Sequence, residues 1–568
     1  MTRRTAATEL LAASAMALAV ALAPPALAQS SGGDAVIRGF LAGSGAGGVG
    51  IIDSREEVEV EVPQAIYSGP NGEVYLLDQA NSRVLKFDPS DPGQPPQVLE
   101  LPEGIRPTDM VVSQDNTFYV WDGQVRALQP TGAETAPTRG LTLTRSSLAP
   151  DPYAVSALAQ MGSMVVDDGD PAEIGRTRAV NVLAGQPPVQ SVATRGKGAL
   201  SAEVKAQGES AVQINILEKG SSAVLARLKM QVRSRLGATE LLEVDRKGRY
   251  FVFGENIPTD FTDVPASFVA RYASNGTLEG IYELPLSGTV GLSRRFVTVS
   301  PEGEVYFLRT RKDNADVLAV SFRPLRPDAR IDTAGKGQSL ADLARRKGAA
   351  AAVRPLNRQQ VIETAFSFAN AKWRVTPAVY GPDPDNQCTG FSRVRRPGYL
   401  NGKLNQDVQG IPYCWGCMGN LQQIAMGLNQ GRLAGNICTR DDPRRDVIGV
   451  DCSSFVSAAW GLSSHFTTIA IPAITTELAN PFELLPGDAL NKPGSHVLLF
   501  VRFTADRKAE VIEASPGACN GRVCRNVYPL ASLLARGYKP VRYKGLLNDP
   551  GPAGPPVPVA GQAGKKVN

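Results

Sequence analysis

Histidine is almost absent from this chain: His465 and His496 are the only two in 568 residues. No cysteine occurs before Cys388, and beyond the N-terminus no run of about 18 apolar residues appears. The second absence excludes an internal membrane-spanning helix. Strong charge of one sign is also missing. Sixty Lys and Arg against 55 Asp and Glu leave a net charge of +5, which supports no nucleic-acid partner. Aromatic residues make up only 6%. Hydrophobic residues at 43% and charged residues at 20% are nevertheless ordinary for a globular protein. The length exceeds what one core fills, so at least two domains are expected.

The first residues have the three parts of an export signal. Arg3 and Arg4 are basic, Leu10 to Ala23 is apolar, and Ala26-Leu27-Ala28 is a small-residue cleavage site. Residues 1–28 are therefore expected to be a signal peptide, with the protein exported to the periplasm or the extracellular space. No Cys follows the cleavage site to carry a lipid. The cysteine pattern agrees with export, because an oxidising compartment pairs thiols and an odd count leaves one over. Six of Cys388, Cys414, Cys417, Cys438, Cys452, Cys519 and Cys524 could form three bridges, leaving Cys452 free. Cys519 and Cys524 could close a short loop. Cys414-x-x-Cys417 has the spacing of a redox or zinc pair, but no second pair or nearby His completes a metal site. No metal and no cofactor is expected.

Residues 29–50 are rich in Gly, Ser and Ala and read as a flexible leader. From 51 to 325 the chain is β-rich and repetitive. Gly69 to Asp78 followed by Asn81 to Asp88 is a turn, an alternating strand, a polar turn and a second strand. Related pieces recur at Ser113–Val120, Asp245–Val252 and Ser300–Phe307, each followed by a further strand. The first unit resembles an NHL-type propeller repeat. A blade cannot bury both faces alone, so several must stack; the span suits about six blades at ~40 to 45 residues each. A pair of β-sandwiches is the plainer alternative. Residues 326–354, with a short helical stretch at Leu340 to Arg346, read as a linker, and 548–568 as a disordered Pro/Gly-rich tail.

From 355 to 547 the pattern becomes α+β. Gln359 to Lys372 has helical period, with Val361, Ala365, Phe368 and Ala369 on one face. Val450 to Leu462 reads as a helix with Asp451 near its start and Gly461 near its end. Leu485-Pro486-Gly487-Asp488 turns into a strand, Ser495 to Val501 is an apolar strand opening with His496, and Glu510 to Ser515 is another strand bearing Glu513. A helix N-terminus favours a thiolate at Cys452. His496 can take the thiol proton, and Glu513 can orient the imidazole through its other nitrogen. His465, in Ser463-Ser464-His465, reads as a loop histidine, and Asp488 as a turn residue.

Three ordered blocks carry a resemblance. Tyr413-Cys414-Trp415-Gly416, Asp451-Cys452-Ser453-Ser454-Phe455-Val456 and Pro486-Gly487-Asp488 followed by His496-Val497 resemble the NlpC-type family of cell-wall cysteine peptidases, which have a papain-like fold. The resemblance covers about 190 of the 568 residues and implies a multidomain protein, a propeller followed by an α+β papain-like domain. It implies hydrolysis of amide bonds through a thioester, with peptidoglycan or its stem-peptide fragments as the partner. Cys452, His496 and Glu513 would be catalytic, and Tyr413, Asp451 and Ser453 would contact substrate. The departures are Ser454 for a usual Gly, Glu513 for a usual His, Asn or Gln, and 39 positions between Tyr413 and Cys452, which imply an insertion. Two other readings share these residues: an interaction protein whose propeller binds a protein partner beside an inactive papain-like domain, and an acyltransferase.

Overall fold

The computed structural model describes residues 33–52, 58–122, 125–143, 191–194, 198–218, 223–258, 265–286, 290–293, 295–333, 356–381, 394–438, 446–504 and 506–547. The expected signal peptide, the Leu340–Arg346 helix and the C-terminal tail lie outside these residues, as does Cys388.

In the N-terminal half the strands come in antiparallel groups of about four, the first two of which are joined edge to edge where Thr138–Leu143 pairs parallel with Gln97–Glu100. Ala65–Ser68, Val74–Asp78, Arg83–Phe87 and Gln97–Glu100 form the first group, and Asp109–Val112, Phe118–Trp121, Val125–Pro130 and Thr138–Leu143 the second. Ser191–Thr194 to Val224–Gln231 form the third, and Arg235–Val244 to Leu278–Leu284, with Phe322–Pro324 added at the edge, the fourth. Val297–Val299, Val305–Thr310 and Asn314–Ala319 begin the fifth. The opening strands of the groups touch one another. Ala65–Ser68 lies between Asp109–Val112 and Val297–Val299, and Arg235–Val244 lies between Val297–Val299 and Ser191–Thr194. That arrangement is a propeller with five blades of four or five strands among the described residues, not a pair of sandwiches. The expected count of about six drew on an irregular middle, of which 144–190 lies outside the described residues. Burial on both faces explains the unbroken apolar run of Val74 to Leu77, every residue of which is buried.

Residues 29–50 are not a flexible leader throughout: Ala35–Ala42 is a strand that pairs antiparallel with Asn314–Ala319 and supplies the fourth strand of the last blade. The Gly/Ser stretch behind it is held by side chains of the first repeat. The Arg83 guanidinium donates to the carbonyls of Ser44 (2.6 Å), Gly45 and Gly48 (both 2.9 Å), and Asn81 donates to that of Gly43 (3.0 Å). Asp78 in turn accepts from Arg83 Nε, Asn81 and the Gly50 N–H, each at 2.8 Å. Composition reads the stretch as loose because its partners lie 28 to 39 positions away.

The C-terminal half sets helices on a six-stranded antiparallel sheet. Its order is Thr475–Glu477, Lys539–Tyr543, Ala489–Lys492, His496–Phe503, Ala509–Ser515 and Arg522–Tyr528. The helix Arg358–Asn370 starts at Asn357, whose side chain accepts from the Gln359 N–H (2.7 Å), and it buries Val361, Ala365, Phe368 and Ala369. It packs on the helix Cys452–Ala459, where Phe368 and Phe455 meet edge to face at 5.7 Å. The described residues between Tyr413 and Cys452 hold the helix Leu421–Asn429 and return at Val447–Ile448 to bring Val450 beside Tyr413.

The two halves share a core. Phe253, Phe296 and Phe307 of the propeller lie in one buried cluster with Leu490, Leu498, Phe500, Leu530 and Tyr538 of the C-terminal half. Polar contacts cross the same boundary. Glu255 accepts from the Ala238 and Ala531 N–H groups, both at 2.9 Å, and so caps the helix Leu530–Ala535, which has no side-chain cap of its own. Lys508 pairs with Glu240 across the boundary. No helix among the described residues is long and apolar enough to cross a membrane.

Candidate active site

Cys452 opens its helix. Asp451 is the N-cap: its Oδ1 accepts from the Ser454 N–H (2.7 Å), and the Ser454 hydroxyl accepts from the Asp451 N–H (2.9 Å). This box forms with Ser at the third helical position, the place where the resembling family has Gly. Asp451 Oδ2 also accepts from the Gly416 N–H at 2.9 Å, which ties the Tyr413–Gly416 element to the start of the Cys452 helix across 35 positions. Gly416 sits at φ +71°, where a side chain would be strained.

Six of the seven cysteines lie among the described residues. Cys414 is bridged to Cys417 and Cys519 to Cys524, Cys438 is also disulfide-bonded, and Cys452 is the free thiol, fully buried. The Cys414-x-x-Cys417 pair is thus a bridge. Among the described residues no group of His, Cys, Asp and Glu is arranged to hold a metal.

The Cys452 helix packs against the His496 and Glu513 strands. His496 Nε2 lies 2.7 Å from Glu513 Oε2. The Cys452 side chain is the other group that acts on the imidazole. Burial opposes a charged His496, but the negative charge and hydrogen bond of Cys452, followed by those of Glu513, outweigh it and hold the pKa well above the usual value. Glu513 is pushed the other way. Burial raises it, yet the bonds from His496, Tyr528 and Asn526 leave it below the usual carboxylate range. Tyr528 Oη (2.7 Å) and Asn526 Nδ2 (2.6 Å) both donate to Glu513 Oε1. The arrangement can hold a thiolate–imidazolium pair with a fixed carboxylate behind it.

The residues expected to touch substrate gather at the same helix end but are buried. Tyr413 is 1% exposed, Asp451 1% and Ser453 0%. Asp451 Oδ1 also takes the Ser453 hydroxyl at 3.1 Å. His465 does belong to a loop, but its Nε2 reaches Ser453 Oγ (2.8 Å) and Asp451 Oδ1 (3.4 Å). Its charge and hydrogen bond work against burial to keep the Asp451 pKa low. Asp488 is the anchor of its turn: it accepts from the Leu485 N–H (2.9 Å), Arg358 Nη1 (2.9 Å) and Arg542 Nη2 (2.7 Å).

Sequence reasoning missed Asn526, Tyr528 and Glu59. Asn526 and Tyr528 carry a readable signal, since they stand two apart on a strand and so share one face with Cys524, the register partner of Glu513. Glu59 carries none. It belongs to the N-terminal half, yet its buried carboxyl faces Lys492, His496, Glu513 and Arg536.

No family model matches this sequence, and no curated protein matches it. Among solved structures, one of streptogramin B lyase is 10% identical, covering 50% of this chain and 99% of its own, with a TM-score of 0.20. A gluconolactonase from Xanthomonas campestris is 10% identical over 47% of this chain and 88% of its own (TM-score 0.20). Virginiamycin B lyase from Staphylococcus aureus is 14% identical over 46% and 67% (TM-score 0.15). The propeller is defined here by its own strand pairing.

Proposed function

We propose that this protein is an exported cysteine hydrolase of the NlpC-type, papain-like kind that cleaves amide bonds, with peptidoglycan stem peptides as substrate. The observation that carries the reading is the buried line Cys452–His496–Glu513, with the sulfur at a helix N-terminus and the carboxylate anchored by two further donors. The disulfides support an oxidising compartment, the periplasm or the extracellular space.

The Cys452 thiolate attacks the amide carbon and forms a C–S bond, while the carbonyl oxygen takes the negative charge at the positive end of the helix. His496 Nδ1–H gives its proton to the departing nitrogen as the C–N bond breaks, leaving a thioester and a free amine. Water then attacks the thioester carbon, His496 accepts its proton, and the C–S bond breaks to release the acid and restore the ion pair. Glu513 holds the ring orientation throughout and balances the imidazolium charge.

Purified protein incubated with sacculi is expected to release muropeptides, with the release lost in Cys452→Ser. Intact sacculi with the wild-type protein, under both reducing and oxidising conditions, count against the reading. Full burial of the three side chains favours a second reading, an interaction protein whose papain-like half is inactive. In that case Cys452 has ordinary thiol reactivity even once it is accessible.

A further inference from the structure

Cys452 is 0% exposed, His496 1% and Glu513 0%. A hydrolase must let a peptide and then water reach that sulfur, so some part of the structure has to move. The segment Val58 to Val62 of the N-terminal half is placed to be that part. Val58 alone among N-terminal residues joins the buried cluster that contains Cys452, Tyr413, Val497 and Ala514. Glu59 is 7% exposed and lies among Lys492, His496, Glu513 and Arg536, with the Tyr538 phenol against its carboxyl. Tyr538 itself packs edge to face on His496 at 6.5 Å, and Lys492 Nζ lies 5.8 Å from the Tyr538 ring centre. Further along, Glu61 reaches Gly517, where an added Cβ would stand 3.2 Å from Glu61 Cγ. The segment forms no ladder with the C-terminal sheet; Glu61 pairs instead with Ile52 of its own half through two backbone hydrogen bonds, 3.0 and 3.1 Å.

The segment is held loosely for something so well covered. Lys492 and Arg536 draw the Glu59 carboxylate in, but burial of its charge offsets most of that attraction. Only one large apolar anchor, Val58, enters the neighbouring core. These features describe a contact that can open without unfolding either half.

We propose that residues 58–62 are an autoinhibitory strap, a segment of the N-terminal half that closes the Cys452 cleft and must withdraw before substrate enters. The proposal rests on the hydrolase reading only for its purpose, because its test reads access to a thiol and not hydrolysis.

The full-length protein is treated with iodoacetamide, and labelling of the Cys452 peptide is followed by mass spectrometry. Glu59→Ala and Val58→Ser are expected to raise the labelling rate about tenfold. Circular dichroism and an unchanged melting transition show that the fold is kept. Glu61→Cys combined with Gly517→Cys, oxidised to a cross-link, is expected to suppress labelling below the wild-type rate. This second arm needs no loosened variant to survive. Rates within about twofold of wild type in the folded strap variants, with no suppression on cross-linking, overturn the strap and leave the hydrolase reading standing. Fast labelling in the strap variants with the pH profile of an ordinary thiol keeps the strap and sinks the hydrolase reading.

Discussion

Replacing Glu513 by Gln removes one charge while keeping the shape of the side chain, and so asks whether the carboxylate holds the ion pair together. In the wild type, Oε2 meets His496 Nε2 at 2.7 Å and Oε1 accepts from Asn526 and Tyr528. In Glu513→Gln the amide oxygen stays with those two donors, so the NH2 group turns to His496 Nε2. A donor there requires an unprotonated Nε2, and the neutral imidazole is favoured. A hydrogen bond to a charged group is worth about 1.5–3 kcal/mol, so the thiolate–imidazolium population should fall by roughly one to two orders of magnitude. The assay is the iodoacetamide labelling rate of Cys452 near pH 6, where an ordinary thiol is almost wholly protonated. The rate should fall by that same factor. Stability changes with a definite sign. His496 is held above 6.5, so its contribution is complete below 6.5 and is lost as pH rises through the folded value. Glu513 is held below 4.5, so its contribution is present above 4.5 and is lost as pH falls through the folded value. The variant's deficit in unfolding free energy should therefore be largest between pH 4.5 and 6.5. A folded variant that labels within about twofold of wild type at pH 6 refutes the carboxylate's role.

Tyr528→Phe removes one donor from the same carboxylate and should cost about 1.5 kcal/mol in urea denaturation, with slower labelling of Cys452; unchanged values in both would show that Asn526 suffices. Asp451→Ala removes the cap of the Cys452 helix and the partner of the Gly416 N–H, and should cost about 2 kcal/mol by the same measurement. Glu255, between the halves, has its pKa raised by burial from 4.5 to about 7. The folded state therefore binds more protons than the unfolded state across that interval, so stability is greatest below pH 4.5 and falls by roughly 3 kcal/mol as pH approaches 7. Glu255→Gln should flatten that slope, and an unaltered pH profile of unfolding would exclude Glu255 as its source. Arg83→Met should free residues 43–48 for rapid amide exchange, since their carbonyls lose a shared donor; unchanged protection would show that strand pairing alone holds them.

Much of the site was legible because its parts are local. Asp451, Cys452 and Ser454 lie within one helical turn, and a cap three positions before its partner can be read from spacing. His496 opens one short apolar strand and Glu513 lies on the next, and runs of that kind bounded by turns can be read locally. The odd cysteine followed from counting. Less legible were groups that share a face only after strands are registered. Asn526 and Tyr528 bond to Glu513 from the neighbouring strand, and their spacing of two gives a shared face but not the partner across it.

By itself, the order of residues determined the repeating hairpins, the capped helix carrying a thiol and the strands carrying imidazole and carboxylate, because each depends on contacts within a turn or a pleat. Only tertiary structure decided that Ala35–Ala42 completes the last blade, that both halves share one core, and that Glu59 lies among the groups around His496. Those outcomes depend on which surfaces bury each other. Burial is set by the summed shape of distant segments, and no local pattern in Val58 to Val62 encodes where His496 will be.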